Sequence, residues 1–169
     1  GAAIAKALRD ADYAVAATYH GNDEAAEGFK AATGIPVFKW DVADDEACAA
    51  GVAQIAATLG PVEILVNNAG ATWGAALEEF PEDGWDRVMD LNVKSIFFLT
   101  EKLLPQLQAG AKASGRGRII NIGSIEGLAV PMMEDSYAYP ASKAAVHHLT
   151  KVMARRLARD QITVNAIAP

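Results

Sequence analysis

Short β-rich runs alternate with longer helical runs along this chain, and that alternation limits the folds open to it. Residues 13–18 (YAVAAT) read as a strand and residues 22–32 (NDEAAEGFKAA) as a helix opened by Asn22, a residue type suited to capping the first N–H groups. Residues 36–42 (PVFKWDV) give the next strand, followed by a helix capped by Asp44 and running to Leu59. Residues 63–70 (EILVNNAG) form a buried strand that ends in a polar, glycine-containing turn. A long helical region from residue 82 to 107 is expected to break near Asn92, and residues 112–118 (KASGRGR) read as an exposed basic loop. A strand at 118–124 (RIINIGS), a helix at 139–159 and a strand at 162–169 (ITVNAIAP) complete the series. Helices between successive strands call for parallel pairing, because a parallel connection needs a long crossover. The expected fold is α/β, a doubly wound parallel sheet with helices on both faces.

The 169 residues suit one domain spanning 1–169, with enough chain to bury a core. The chain begins directly with a helix and stops at Pro169 straight after a strand. Parallel sheets are covered on both faces, so these open ends point to an internal piece of a longer protein; a naturally minimal domain is the competing reading. A net charge of −6 with no basic stripe excludes nucleic acid as the natural partner. Cys48 is the single cysteine, which rules out an internal disulfide and a cysteine-based metal cluster. It sits in an alanine-rich helix, where a small buried thiol is expected. No apolar run reaches the roughly 18 residues needed to span a bilayer, and no signal-peptide pattern opens the chain. The expected setting is cytoplasmic, with no membrane partner and no metal.

Five motifs carry chemistry when taken together. They are Asp41-Val42 after the second strand, Asn67-Asn68-Ala69-Gly70 after the third, Asn92 in LNVKS, Ser124 in NIGS, and Tyr139-Pro140-Ala141-Ser142-Lys143. Taken singly each has an ordinary explanation: a helix cap, a strand-ending turn, a helix-ending residue, a turn serine, and two neighbours on a helix surface. Their order and spacing along one alternating β/α pattern resembles the short-chain dehydrogenase/reductase family over nearly the whole chain. That resemblance implies a Rossmann fold and an NAD(P)-dependent oxidoreductase acting on an alcohol or ketone. It also implies catalytic roles for Asn92, Ser124, Tyr139 and Lys143.

By the same resemblance Gly1 is the last glycine of the family's TGxxxGIG pyrophosphate loop, the rest of which is absent here together with the first strand. Residues 165–169 (NAIAP) resemble the segment that precedes the family's C-terminal substrate lid, so Pro169 joins the residues expected beside the cofactor. Asp41 and Val42 are implied at the adenine, Asn68, Ala69 and Gly70 at the ribose, and Tyr139 and Lys143 at the nicotinamide ribose. Asn92 is implied to hold a water of the proton relay. A chain lacking the loop is not expected to be a competent catalyst alone.

The residues also give a physical reading of their own. Reducing a ketone needs a hydride on carbon and a proton on oxygen. Tyr139 and Lys143 are four apart, one turn of a helix, so they share a face. A fixed ammonium stabilises a phenolate and brings the tyrosine toward the working pH. Pro140 is tolerated in a first helical turn. Ser124 ends a parallel strand, the edge where open α/β sheets bind ligands, and its hydroxyl can donate to an oxygen gaining negative charge. Tyr137 lies two residues from Tyr139 and is read as pocket wall or packing.

Cofactor choice turns on the end of the first of these strands, where NAD-selecting enzymes place an acid for the ribose 2′-hydroxyl. Here Thr18-Tyr19-His20-Gly21-Asn22 carries none before Asp23. That favours NADP(H) over NAD(H), with Thr18, Tyr19 or His20 near the phosphate; His20 as a solvated turn residue is the alternative. His147 and His148 are read as packing or interface residues. Trp73 and Gly74, and Leu128, Val130, Met132 and Met133, should border the substrate, and their apolar character suits an acyl chain. Within the family, the N-terminal third is similar to acetoacetyl-CoA reductases and the later stretch to 3-oxoacyl reductases, so the expected substrate is a 3-oxoacyl thioester; a sugar, polyol or steroid is the alternative. Two helices carry long apolar faces (Ile96, Phe97, Leu99, Leu103; Val146, Leu149, Val152, Met153), which in the family pair across a two-fold, implying a homo-oligomer. Burial against the sheet alone is the other reading.

Overall fold

The computed structural model describes residues 1–130 and 134–169, which group into two compact units, 1–60 and 61–169. In the first unit, helix α1 (Ala2–Asp10) is followed by β1 (Ala17–Tyr19), α2 (Asp23–Thr33), β2 (Val37–Lys39) and α3 (Asp45–Leu59). β1 and β2 pair in parallel, Thr18 opposite Phe38. The predicted caps form. Asn22 accepts from Ala25 N–H at 2.8 Å, and Asp44 accepts from Glu46 and Ala47 N–H at 2.9 and 3.1 Å. Cys48 is buried, as its alanine-rich helix predicts, with its thiol 3.4 Å from the Val42 carbonyl.

The second unit runs β3 (Ile64–Asn67), α4 (Glu82–Met89), α5 (Ser95–Ser114), β4 (Gly117–Ile122), α6 (Ala138–Leu157) and β5 (Ile162–Ile167). Its three strands lie in the order β3-β4-β5, both pairings parallel. Ile96, Leu99, Leu103 and Leu107, spaced three and four apart on α5, bury with Ile119 of β4, Val146, Met153 and Leu157 of α6, and Ile162 and Val164 of β5. Each such side chain contributes roughly 1.5–3 kcal/mol through removal from water. The result is the expected Rossmann-like α/β fold with parallel pairing throughout. No helix among the described residues is long and apolar enough to cross a membrane.

Two sequence expectations are corrected. The helical region does not break near Asn92: residues Asp90–Lys94 form a π-turn in which Ser95 N–H reaches back five residues to Asp90 O, so α4 and α5 are continuous. One residue is added without losing the hydrogen-bond ladder, a frequent device at functional sites. Residues 112–118 are also not a loop. α5 continues to Ser114, Gly115 turns the chain at φ 84°, and β4 begins at Gly117.

Gly110 marks where α5 crosses the start of β3. A Cβ there would lie 2.5 Å from the Val62 carbonyl oxygen, which is backbone and cannot step aside. Gly→Ala inside a helix ordinarily gains stability. Gly110→Ala is expected instead to lose about 1–3 kcal/mol through overpacking, measured by urea unfolding against the unaltered chain.

Candidate active site

The second unit gathers its polar side chains at the carboxyl ends of β3 and β4. Asn67 and Asn121 are register partners in the two strands, and Asn67 Nδ2 donates to Asn121 Oδ1 at 2.9 Å. Asn121 in turn donates to Thr150 Oγ1 on α6 at 2.9 Å, so a buried polar chain ties two strands to a helix. Asn68, Ala69 and Gly70 follow as an exposed backbone shelf. A Cβ on Gly70 would lie 3.3 Å from Asn92 Oδ1 and 3.7 Å from Lys143 Nζ, which places both side chains against that glycine.

Asn92 is fully buried and fully engaged. Its Oδ1 accepts from Ala71 N–H at 2.8 Å, and its Nδ2 donates to Ala71 O and to Ser142 Oγ, both at 2.9 Å. Ser142 Oγ passes the connection on, donating to the Tyr139 carbonyl at 2.6 Å. The π-turn is what carries the carboxamide inward to both partners. Sequence reasoning missed Asn121 and Ser142; their signals were a strand position matched to Asn67 and a hydroxyl beside Lys143.

Tyr139 and Pro140 sit in the first turn of α6, and Lys143 follows one turn later. Lys143 is 5% exposed, its Nζ donates to the Ile122 carbonyl at 2.8 Å, and it stands 5.5 Å from the centre of the Tyr139 ring. Burial holds its ammonium below the ordinary lysine range. Ser124, two residues past Ile122, is buried; its Oγ accepts from Glu126 N–H at 3.3 Å, which leaves its own proton to donate. Pro169 O accepts from Ile125 N–H at 3.0 Å, bringing the end of the chain beside this segment. The fold therefore brings Gly70, Asn92, Ser142, Lys143 and the ring of Tyr139 together, with the Ser124 segment attached through Ile122.

Tyr137 is separate from this group. Its ring meets Phe80 edge-on at 5.7 Å, and it lines an open cleft of about 310 Å³ with Leu77, Phe80, Pro81, Glu82 and Trp85. Desolvation and the nearby Asp135 carboxylate push its phenol up, the wrong direction for a proton donor at neutral pH. Trp73 packs its indole on α4, where a Cβ at Gly84 would approach it to 2.8 Å. Leu128 and Val130 are exposed. Met132 and Met133 lie outside the described residues.

In the first unit Gly1 is the N-terminal flank of α1, its carbonyl accepting from Ala5 N–H at 2.9 Å. Thr18 and His20 are exposed at the end of β1, and Tyr19 is half-buried. Asp41 Oδ1 closes a turn onto Ala43 N–H at 2.9 Å, while Oδ2 stands 3.8 Å from His20 Nδ1. Val42 is half-buried above Cys48. Asp23, beyond the strand in sequence, folds back beside Tyr19: burial and then the Asp23 carboxylate raise the Tyr19 phenol. Lys39 pairs with Asp23 at 2.8 Å and holds that carboxylate below its usual range.

The short chain dehydrogenase family pattern matches residues 1–169. The chain is 45% identical over 169 residues to acetoacetyl-CoA reductase of Shinella zoogloeoides, covering all of this chain and 68% of that protein. Over 124 residues it is 48% identical to the rhamnolipids biosynthesis 3-oxoacyl-[acyl-carrier-protein] reductase of Pseudomonas aeruginosa, covering 71% of this chain and 48% of that one. The structure of the Pseudomonas aeruginosa RhlG/NADP active-site complex superposes with a TM-score of 0.86 at 37% identity, covering 100% of this chain and 68% of that one. The chain belongs to the short-chain dehydrogenase family, NAD(P)-dependent oxidoreductases acting on alcohol and keto groups.

The lowered ammonium has a measurable consequence. Between the Lys143 value in the fold and the ordinary lysine value, the unfolded chain binds more protons, so stability rises with pH there. Relative to Lys143→Met, the unaltered protein is expected to gain stability as pH climbs through that alkaline window. Below the folded-state value, where both states hold the proton, the difference should be flat. Urea titrations at stepped pH read it directly.

Proposed function

We propose that this protein reduces a 3-oxoacyl thioester to the 3-hydroxyacyl thioester with NADPH, and that Asn92, Ser124, Tyr139 and Lys143 carry the reaction. The observation that carries this reading is the buried ammonium of Lys143 set 5.5 Å from the Tyr139 ring, at the strand edge where Ser124 stands. The similarity to acetoacetyl-CoA and 3-oxoacyl-[acyl-carrier-protein] reductases supports the substrate class. NADPH over NADH is supported by the RhlG/NADP relative and by the commitment of the Asp23 carboxylate to Lys39 beside Tyr19.

The donor set suits a dinucleotide. An ammonium has three donors and Ile122 O takes one, so Lys143 can also hold ribose hydroxyls. The small, exposed Ala69 and Gly70 let a ligand come close to the backbone beside Asn68. In the first unit, Gly1, Thr18, Tyr19, His20, Asp41 and Val42 are proposed for the pyrophosphate, 2′-phosphate and adenine, and Pro169 in the second for the nicotinamide side. When bound, the nicotinamide supplies the hydride.

The proton chemistry falls to the chain's own residues. Ser124 Oγ donates a hydrogen bond to the ketone oxygen, opposing the negative charge that grows there. Tyr139 Oη gives that oxygen its proton, and the Lys143 ammonium offsets the charge left on the phenol. Asn92 holds the Gly70–Ala71 turn and, through Ser142, the first turn of α6, keeping Tyr139 and Lys143 in register. Tyr139→Phe removes the proton donor and is expected to lower kcat with acetoacetyl-CoA about 10³-fold, read from NADPH absorbance. A protein that turned over a polyol but no 3-oxoacyl thioester would overturn the substrate assignment.

The homo-oligomer is proposed on the same two helices. Ile96, Leu99, Leu103, Val146 and Met153 turn into the core, whereas Phe97, Phe98 and Val152 are 48%, 39% and 53% exposed. Exposed aromatic and aliphatic side chains of this kind mark association surfaces. Phe97→Glu is expected to reduce the native mass measured by light scattering to that of a smaller assembly.

A further inference from the structure

We propose that His147 is a positioning residue for Ser124, fixing the peptide whose hydroxyl donates to the substrate carbonyl. The inference rests on the carbonyl-reduction reading above and adds a residue outside its catalytic set. His147 lies on α6 one turn beyond Lys143, half-buried, with its Nε2 2.9 Å from the Ser124 carbonyl oxygen. The same nitrogen stands 3.5 Å from Ser124 N. One ring nitrogen cannot serve both groups. A carbonyl only accepts, so the shorter contact puts the proton on Nε2 and makes the imidazole the donor.

The contact is built into the backbone on both sides. A Cβ on Gly123 would lie 2.4 Å from His147 Cε1, and one on Gly127 would lie 2.5 Å from the Lys143 carbonyl carbon. Two glycines flanking Ser124 thus let α6 press directly on the Ser124 segment. Gly127 N–H also donates to the Ser124 carbonyl, at 3.1 Å, so that oxygen receives one bond from its own turn and one from α6. A peptide held from two directions cannot rotate freely about its flanking bonds. The Ser124 side chain, already accepting from Glu126 N–H, keeps one hydroxyl direction.

A double-substitution cycle on the full chain separates this role from general packing. His147→Leu keeps the bulk and removes the donor. It is expected to lower kcat for acetoacetyl-CoA about tenfold while leaving the NADPH KM unchanged, the loss of one oriented hydrogen bond. His147→Gln, which restores an N–H donor, is expected to return kcat to within about threefold of the unaltered protein. In a Ser124→Ala background His147→Leu should change kcat by less than about twofold, because there is no hydroxyl left to orient. An equal loss in both backgrounds overturns the proposal. A second measurement needs no turnover: long-range ¹⁵N–¹H spectra of the imidazole should show the Nε2–H tautomer, and an Nδ1–H tautomer overturns the proposal. Absent turnover of any 3-oxoacyl thioester by the full-length protein, pyrophosphate loop included, removes the substrate reading, and the spectra then decide the His147–Ser124 contact.

Discussion

The three hydrogen bonds of the Asn92 carboxamide hold together the parts on which the candidate site depends. A fully buried amide left unpaired would cost several kcal/mol, so its partners are fixed as firmly as the side chain itself. Those partners are both main-chain groups of Ala71 and the hydroxyl of Ser142. One side chain therefore fastens the turn after β3 to the first turns of α6, the two segments that present Gly70, Tyr139 and Lys143. The π-turn makes this possible: a regular helix would carry residue 92 about 100° further round, away from one partner or the other.

A second polar chain works in parallel. Asn67, Asn121 and Thr150 link β3, β4 and α6 below the site, each with a partner that satisfies it. Networks of this kind strengthen within a low-dielectric interior and penalise any shift of one member. Above them the Lys143 ammonium is bound to the β4 carbonyl of Ile122 and the Ser124 carbonyl is bound to His147. Strand β4 is thus joined to helix α6 by two side-chain bonds, and the Ser124 segment that follows it by a third. Tyr139 and Lys143 are set on a helix, where small displacements are resisted.

Much of this was legible in the residues. Alternation of apolar runs with capped helical stretches gave parallel strands, because Asn22 and Asp44 cap by their own chemistry wherever a helix begins after them. The four-residue spacing of Tyr139 and Lys143 placed them on one helix face, since helical geometry is local. The partners of buried side chains were less legible. Asn92 taken singly looked like a helix-ending residue because Asn is a poor helix former, and the π-turn that keeps the helix continuous there shows only in the packed structure. His147 looked like packing because nothing in sequence shows that Gly123 yields space for its ring.

The residues alone determined the fold class, the helix caps and the set of chemistry-bearing side chains, because these depend on local propensity and on the period of apolar positions. The tertiary structure decided which carbonyls Lys143 and His147 bind, that Asp23 returns to Tyr19 and Lys39, and that Tyr137 faces an aromatic cleft. Apart from Asp23 with its near neighbour Tyr19, such pairings join residues 16 or more positions apart. They follow from strand register and helix approach, which only the packed core sets.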